Sequence, residues 1–84
     1  QDVPAYVTAF GSPAQPKTIN TVGLKRRGFS KGAILAIKQA YKILYRQGHS
    51  LDDALVKLDK MTVEHPEIQL FLDSVRASSR GIIR

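Results

Sequence analysis

Three adjacent cations, Lys25, Arg26 and Arg27, are the residues of this chain whose types and spacing best fit a binding chemistry. They lie in the stretch NTVGLKRRGFS, between two glycines and directly before a predicted helix start at Ser30. A guanidinium presents several donors in a planar fork, which suits phosphate or carboxylate oxygens. Because Gly28 can take backbone angles that other residues avoid, the chain can turn there and direct the arginines at an anion. The alternative is a solvated basic loop, the usual role of an isolated run of charges.

The charges are unevenly distributed along the chain. No Asp or Glu occurs between Val3 and Leu51, whereas the rest of the chain is nearly balanced, so the net charge of +6 belongs almost wholly to the first half. The cations of that half are Lys17, Lys25, Arg26, Arg27, Lys31, Lys38, Lys42 and Arg46. A field of one sign attracts acidic partners, which here could be nucleic acid, phosphorylated small molecules or an acidic protein.

The sequence contains no catalytic constellation and no metal site that its spacing would support. His49 follows a predicted helix end and His65 precedes a proline, and neither has partners at the spacing of a zinc site or a nucleophilic relay. The absence of cysteine excludes disulfides and thiolate ligands. No apolar run approaches the roughly 20 residues that span a bilayer. We therefore expect no cofactor, no metal, no membrane insertion and a cytoplasmic location. The start at Gln1, without an initiator methionine, suggests a piece of a longer protein.

Two regions of different character must position the cations. Residues 1–19 contain three of the four prolines and favour extended structure, with strand-forming residues between Tyr6 and Phe10. A lone strand has no hydrogen-bonding partner, so this segment is expected to pair with something outside itself. Residues 30–84 have helical periodicity and the composition of a small helical domain.

Capping residues predict three helices in the second region. Ser30 is expected to cap the first helix, which Gly48 ends, and Ser50 is expected to cap the second. Pro66 suits the first position of a third helix ending before Gly81. The apolar residues expected to be buried in this third helix are Ile68, Leu70, Phe71, Leu72 and Val75.

The first predicted helix presents a basic stripe roughly 80° wide at 100° per residue. Its cations are Lys31, Lys38, Lys42 and Arg46. Leu35 falls within the stripe and is therefore expected to be exposed, opposite a buried face that includes Tyr41 and Leu44.

Taken in order, the motifs resemble the C-terminal part of the UDP-N-acetylglucosamine O-acyltransferases of lipid A biosynthesis. The matching blocks are DVPAYVTAFGSPA, NTVGLKRRGFS, AIxAxKxxYxxxYRxG and the terminal SSRGIIR, which together cover essentially the whole chain. The resemblance implies a left-handed parallel β-helix of hexapeptide coils followed by a helical domain, assembled as a homotrimer. It also implies transfer of a 3-hydroxyacyl group from acyl carrier protein to the glucosamine 3-hydroxyl of UDP-N-acetylglucosamine.

On this resemblance the fold is mainly α, with a three-helix C-terminal domain preceded by the last strands of the β-helix. Residues 1–19 would form the last coil or coils, residues 20–29 a basic connection that contacts the nucleotide, and residues 30–84 the helical domain. The family's general base is a histidine of earlier coils, and neither histidine of this chain matches it. We therefore expect no catalytic residue here, and no activity from these 84 residues alone.

The resemblance assigns binding roles to two groups of residues. Asn20, Arg26 and Arg27 match family positions that contact UDP, with the arginines toward the phosphates. Where many members have an acidic residue two positions after the asparagine, this chain has Val22. The second group is the basic stripe, in which Lys31, Leu35, Lys38, Lys42 and Arg46 are expected to dock the acidic acyl carrier protein.

From the residues alone, two other classes of function stay open. A small basic helical unit could bind nucleic acid along the stripe, or could serve as an oligomerisation module. The resemblance favours the acyltransferase and argues against nucleic acid as a partner.

Overall fold

The computed structural model describes residues 4–11, 15–78 and 82, and it is mainly helical, as predicted. Its elements, in chain order, are β1 (Val7–Phe10), β2 (Gln15–Ile19), α1 (Thr21–Arg26), α2 (Lys31–Tyr45), α3 (Leu51–Met61) and α4 (Ile68–Arg76). The three predicted helices correspond to α2, α3 and α4. The short helix α1, within the segment predicted to be a connection, is additional.

The two strands pair with each other in antiparallel fashion. Val7 lies opposite Ile19 and Phe10 lies opposite Gln15, with an irregularity in the register after Thr8. The expectation that this segment needs a strand partner outside itself is therefore wrong for β1 and β2. The assignment of residues 1–19 to the last coil of a β-helix stays a prediction.

Serine side chains begin α2 and α3, as the sequence predicts. The Oγ of Ser30 accepts a hydrogen bond from the Ala33 amide at 3.0 Å, and the Oγ of Ser50 accepts one from the Asp53 amide at 3.2 Å. These bonds satisfy amides that have no partner within the helix. Gly48, after the end of α2, has a φ of 73°, a left-handed conformation that glycine adopts without strain.

The third predicted helix is shorter than expected. Helix α4 begins at Ile68, after a turn at Pro66, and ends at Arg76, whereas the predicted end at Gly81 lies outside the described residues. Leu70 is 57% exposed, so the prediction that it is buried is wrong. The buried residues of α4 recur at three- and four-residue intervals and form one face of the helix. Leu70 lies on the other side of the helix, away from that face.

One apolar core joins all the helices to β2. Its fully enclosed side chains include Ile37 of α2, Leu58 of α3 and Phe71 of α4. Ile19 of β2 and Leu24 of α1 belong to the same cluster, and Tyr6 and Phe29 pack against it. The core therefore joins β2 and α1 to the buried residues of α2.

Candidate anion-binding site

Lys25 and Arg26 lie in the last turn of α1 and Arg27 is its C-terminal capping residue, so the KRR run is not in an open loop. Asn20 begins this six-residue helix, and its Oδ1 accepts a hydrogen bond from the Gly23 amide at 3.1 Å. A Cβ at position 23 would lie 2.5 Å from the Asn20 Nδ2, closer than such atoms approach. Glycine at position 23 therefore gives the Asn20 side chain the room to cap the helix.

The C-terminus of α1 is closed by a pair of backbone hydrogen bonds. The Gly28 amide donates to the Lys25 carbonyl and the Phe29 amide donates to the Leu24 carbonyl, both at 3.1 Å. Together with the Gly28 φ of 85°, these bonds form a Schellman motif. Both apolar residues of the motif contribute to the core, since Leu24 is buried and Phe29 packs against the core cluster. The cations are thus held at the end of an anchored helix.

The three cations of the run face different surroundings. Arg27 lines a cavity of about 170 Å³ whose other lining residues are Tyr6, Val7, Thr8, Asn20, Gly23 and Leu24. Lys25 lines a groove of about 250 Å³ together with Thr21, Lys31, Ile34, Leu35 and Lys38. Arg26 is exposed and lines neither of these spaces. The structure thus brings Asn20 and Arg27 into one cavity but leaves Arg26 outside it. Val22, at the departure from the family pattern, is 62% exposed.

Tyr6, which has no site motif around it in the sequence, also lines this cavity. Its carbonyl accepts a hydrogen bond from the Asn20 amide at 2.8 Å, and its hydroxyl donates to the Glu67 carbonyl at 3.1 Å. Its ring meets the Phe29 ring edge-on, with the centroids 5.9 Å apart. Burial, with a smaller contribution from the Glu67 carboxylate, raises the pKa of the Tyr6 hydroxyl, although the Arg27 guanidinium acts in the opposite direction. None of these contacts has a signal in the sequence beyond the aromatic character of the residue.

The predicted basic stripe is present on α2. Lys31, Lys38 and Lys42 are exposed, and none of them forms an ion pair within the part of the chain that the structure describes. Leu35 is 64% exposed, as predicted. A second groove of about 250 Å³ adjoins the first at Lys38 and is also lined by Thr18, Ile19, Tyr41, Lys42 and Arg46.

Arg46, at the end of the stripe, is directed back along its own helix. Its Nη2 donates to the Tyr41 hydroxyl at 3.3 Å, and its guanidinium carbon lies 5.6 Å from the centroid of the Tyr41 ring. A cation over an aromatic face is attracted by the ring's charge distribution. Arg46 is therefore more constrained than the three lysines of the stripe.

Neither histidine belongs to a metal or catalytic cluster in the described structure. The His49 Nε2 lies 3.1 Å from the Gln47 Oε1, and the His65 Nδ1 lies 3.5 Å from the Glu67 Oε1. Among residues 4–11, 15–78 and 82, no group of three or more histidine or carboxylate side chains could hold a metal ion. None of the described helices is long and apolar enough to cross a membrane.

The chain is similar in sequence to UDP-N-acetylglucosamine O-acyltransferases. Residues 2–83 match the family model described as UDP N-acetylglucosamine O-acyltransferase, domain 2. Over all 84 residues, the chain is 49% identical to an acyl-[acyl-carrier-protein]--UDP-N-acetylglucosamine O-acyltransferase of Pseudomonas aeruginosa and 52% identical to one of Azotobacter vinelandii. It spans about a third of the length of these curated relatives, 33% in both cases.

Solved structures give the same result at the level of the fold. The UDP-N-acetylglucosamine O-acyltransferase of Moraxella catarrhalis superposes with a TM-score of 0.95 at 43% identity, over 100% of this chain and 33% of that one. The corresponding enzyme of Francisella novicida has a TM-score of 0.94 at 38% identity, over 100% of this chain and 31% of that one. The similarity in sequence and in fold extends over the strands, the α1 cations and the helical domain, and the chain therefore belongs to the UDP-N-acetylglucosamine O-acyltransferase family.

Proposed function

We propose that this chain is the part of an acyltransferase that binds its two substrates. In the proposed reaction, a 3-hydroxyacyl group passes from acyl carrier protein to the glucosamine 3-hydroxyl of UDP-N-acetylglucosamine, the first step of lipid A biosynthesis. The names of the relatives support this reaction. The described residues offer no histidine beside the candidate site, so the proposal assigns the general base to preceding coils of a cytoplasmic homotrimer.

The observation that carries the nucleotide part of the proposal is the shared cavity of Asn20 and Arg27. The cap bond uses the Asn20 Oδ1 and leaves the amide nitrogen as a donor. The Arg27 guanidinium provides a fixed positive charge and a planar fork of donors for phosphate oxygens. Arg26 is the next residue along α1, and we propose that it reaches the phosphates from outside the cavity. An amide donor beside a guanidinium fits a uridine diphosphate better than a simple anion.

Replacing each arginine separately in the enzyme that contains this chain tests the nucleotide site. Arg27→Ala should weaken binding of UDP-N-acetylglucosamine by about 1.5–3 kcal/mol, the value of a hydrogen bond to a charged group. Arg26→Ala should have a smaller effect, because Arg26 does not line the cavity that Asn20 and Arg27 share. The KM for the acyl carrier thioester should change little in either variant. Steady-state kinetics and direct titration with UDP measure these effects.

Lys57→Ala is a matched control for the loss of one positive charge. Lys57 is exposed on α3, a helix that lines none of the cavities at α1 and α2 described above. If Arg27→Ala and Lys57→Ala have the same affinity for UDP, Arg27 is a solvated charge and the nucleotide assignment is wrong.

We propose that the basic stripe of α2 docks the acyl carrier protein. Lys31, Lys38 and Lys42 have no carboxylate partner in the described structure, so their charges are available to an acidic partner. Leu35 and Ile34 line the groove between these lysines and α1, which adds an apolar contact within the charged surface. Arg46 contributes less, because Tyr41 already engages its guanidinium.

A further inference from the structure

Tyr6 contacts both ends of α1 and also α4. At the start of α1, its carbonyl accepts the hydrogen bond from the Asn20 amide. At the end of α1, its ring packs on Phe29, whose amide closes the Schellman motif. Its hydroxyl reaches the Glu67 carbonyl, directly before α4. A single residue of the strand region is therefore connected to the two termini of the helix that carries the cations, and to the helical core behind it.

The backbone of Tyr6 has a conformation that its residue type disfavours. Its φ is 68°, and Tyr6 is the one non-glycine residue with a positive φ in the described structure. Such conformations cost free energy in bulky residues and persist where the surroundings determine them, which is often at functional sites. Glycine would adopt this φ without strain. In this chain, the contacts of the Tyr6 side chain must therefore compensate for the free energy that the strained backbone costs.

We propose that Tyr6 is a positioning residue that holds Asn20 and Arg27 in the geometry required by the nucleotide. This inference rests on the proposed function of the α1 cavity. Asn20 precedes α1 and Arg27 follows its last residue, so displacement of either end of this short helix moves one of the two groups. Fixing both ends through one side chain keeps the amide and the guanidinium at a constant separation. Misplacement of binding groups by about 1 Å can cost on the order of 100-fold in rate.

The hydrogen bond from the Tyr6 hydroxyl to the Glu67 carbonyl attaches the tyrosine to a second part of the molecule, the residue directly before α4. A tyrosine hydroxyl is protonated at neutral pH and therefore donates to the Glu67 carbonyl, and burial raises the pKa of Tyr6 further above that pH. The neighbouring Ala5 amide also donates to α4, to the Ser74 Oγ at 2.9 Å. The segment just before β1 is thus attached at two successive residues to α4 and to the residue that precedes it.

Three substitutions of Tyr6, made in the enzyme that contains this chain, distinguish a positioning role from an effect on stability. Tyr6→Ala retains the strained backbone without the ring, Tyr6→Gly removes both the strain and the ring, and Tyr6→Phe removes only the hydroxyl. Tyr6→Gly should melt at a higher temperature than Tyr6→Ala, because glycine tolerates the positive φ. Both should nevertheless raise the KM and the Kd for UDP-N-acetylglucosamine to the same extent, by about 10- to 100-fold. Tyr6→Phe, which keeps the ring, should retain most of the affinity for UDP-N-acetylglucosamine. None of the three variants should change the KM for the acyl carrier thioester.

The outcomes distinguish this inference from the proposed function. If the nucleotide affinity follows the melting temperature, with Tyr6→Gly close to the native protein, Tyr6 is only structural and the inference is wrong. If Arg27→Ala weakens UDP binding while all Tyr6 variants bind normally, the site stands and only the inference is overturned. If Arg27→Ala has no effect, both are overturned. Should Tyr6→Ala and Tyr6→Gly fail to fold, Phe29→Leu tests the same ring contact from the segment that follows α1. An unchanged nucleotide KM in Phe29→Leu would then contradict the positioning role.

Discussion

Two glycines of the candidate site are required for different physical reasons. Gly28 needs its residue type for backbone conformation, since its φ is 85° and a Cβ there would meet nothing within 4 Å. Gly23 needs its residue type for space, because a Cβ there would lie 2.5 Å from the Asn20 Nδ2. The requirement at Gly28 concerns the stability of α1. The requirement at Gly23 concerns the position of the Asn20 side chain, which is proposed to contact the nucleotide.

Alanine should therefore reduce stability at position 28 and UDP affinity at position 23. Gly28→Ala should destabilise the protein by about 1–2 kcal/mol through the left-handed conformation, with Gly28→Asn recovering part of the loss. Gly23→Ala should leave stability within about 1 kcal/mol, because better helix propensity offsets the lost cap. It should nonetheless weaken UDP binding, since the displaced group is the Asn20 side chain. Denaturant unfolding and UDP titration measure the two effects. A normal UDP affinity in Gly23→Ala would remove Asn20 from the site.

Single residues also mark the limit of what the sequence could predict. Asn20, Arg26 and Arg27 could be selected because they match the family's NTVGLKRRGFS motif, and the two arginines also because of their charge. Tyr6 could not, because the role proposed for it depends on a positive φ and on contacts with Glu67 and Phe29, which are distant in sequence. A strand-like segment with one tyrosine has no local feature that indicates such contacts.

At the scale of elements, the long helices were predictable and the short helix was not. Serine caps and apolar periodicity identify the starts of α2 and α3, because these signals are local. Helix α1 has six residues and contains a glycine, so it is too short to show a period and has poor propensity. Its caps and the burial of Leu24 stabilise it instead. The pairing of β1 with β2 was not predicted, because Pro13 and Pro16 interrupt the alternating apolar pattern that would identify a second strand and fix its register.

The two serine caps differ in their electrostatic setting, which yields a test of helix stability. The first turn of α2 has no acidic residue, whereas that of α3 already has Asp52 and Asp53. A carboxylate at a helix N-terminus typically contributes about 0.3–1 kcal/mol. Ser30→Asp should therefore stabilise the protein by about that amount. Ser50→Asp should be neutral or slightly destabilising, because it places a third negative charge beside two others.

Thermal unfolding at low and high salt measures this difference between the caps. The gain from Ser30→Asp should shrink at high salt, since screening weakens the interaction of the carboxylate with the helix terminus. Equal effects at both positions would show that the neighbouring charges are irrelevant to these caps.

At the scale of the molecule, the fold turns the uneven distribution of charge along the sequence into a positively charged surface on α2. The buried face of α2 packs against α3 and α4, which leaves the lysines of the stripe directed outward. The acidic residues of the helices are on α3 and α4 rather than on α2, and one of them, Asp59, pairs with Arg76 at 3.8 Å. Acidic side chains therefore do not neutralise the stripe within the described structure.

Reversing two charges of the stripe in the whole enzyme tests whether this surface docks the carrier. Lys38 lines both grooves of α2 and Lys42 lines the second, so Lys38→Glu with Lys42→Glu changes the centre of the surface. Exposed ion pairs contribute about 0–1 kcal/mol each, so we expect a loss of about 1–2 kcal/mol, or roughly 5- to 30-fold in the KM for the acyl carrier thioester. The effect should be greatest at low salt and should decline as salt screens the charges.

The double reversal Lys57→Glu with Lys60→Glu is the matched control, because it changes the net charge equally on an exposed part of α3. A docking surface requires that only the α2 reversal raises the carrier KM, and that the KM for UDP-N-acetylglucosamine stays the same in both variants. If the two reversals raise the carrier KM equally, the enzyme attracts its partner through net charge alone, and the stripe is not a docking site. If neither does so at low salt, the basic face of α2 is a solvated surface and the carrier binds elsewhere on the enzyme.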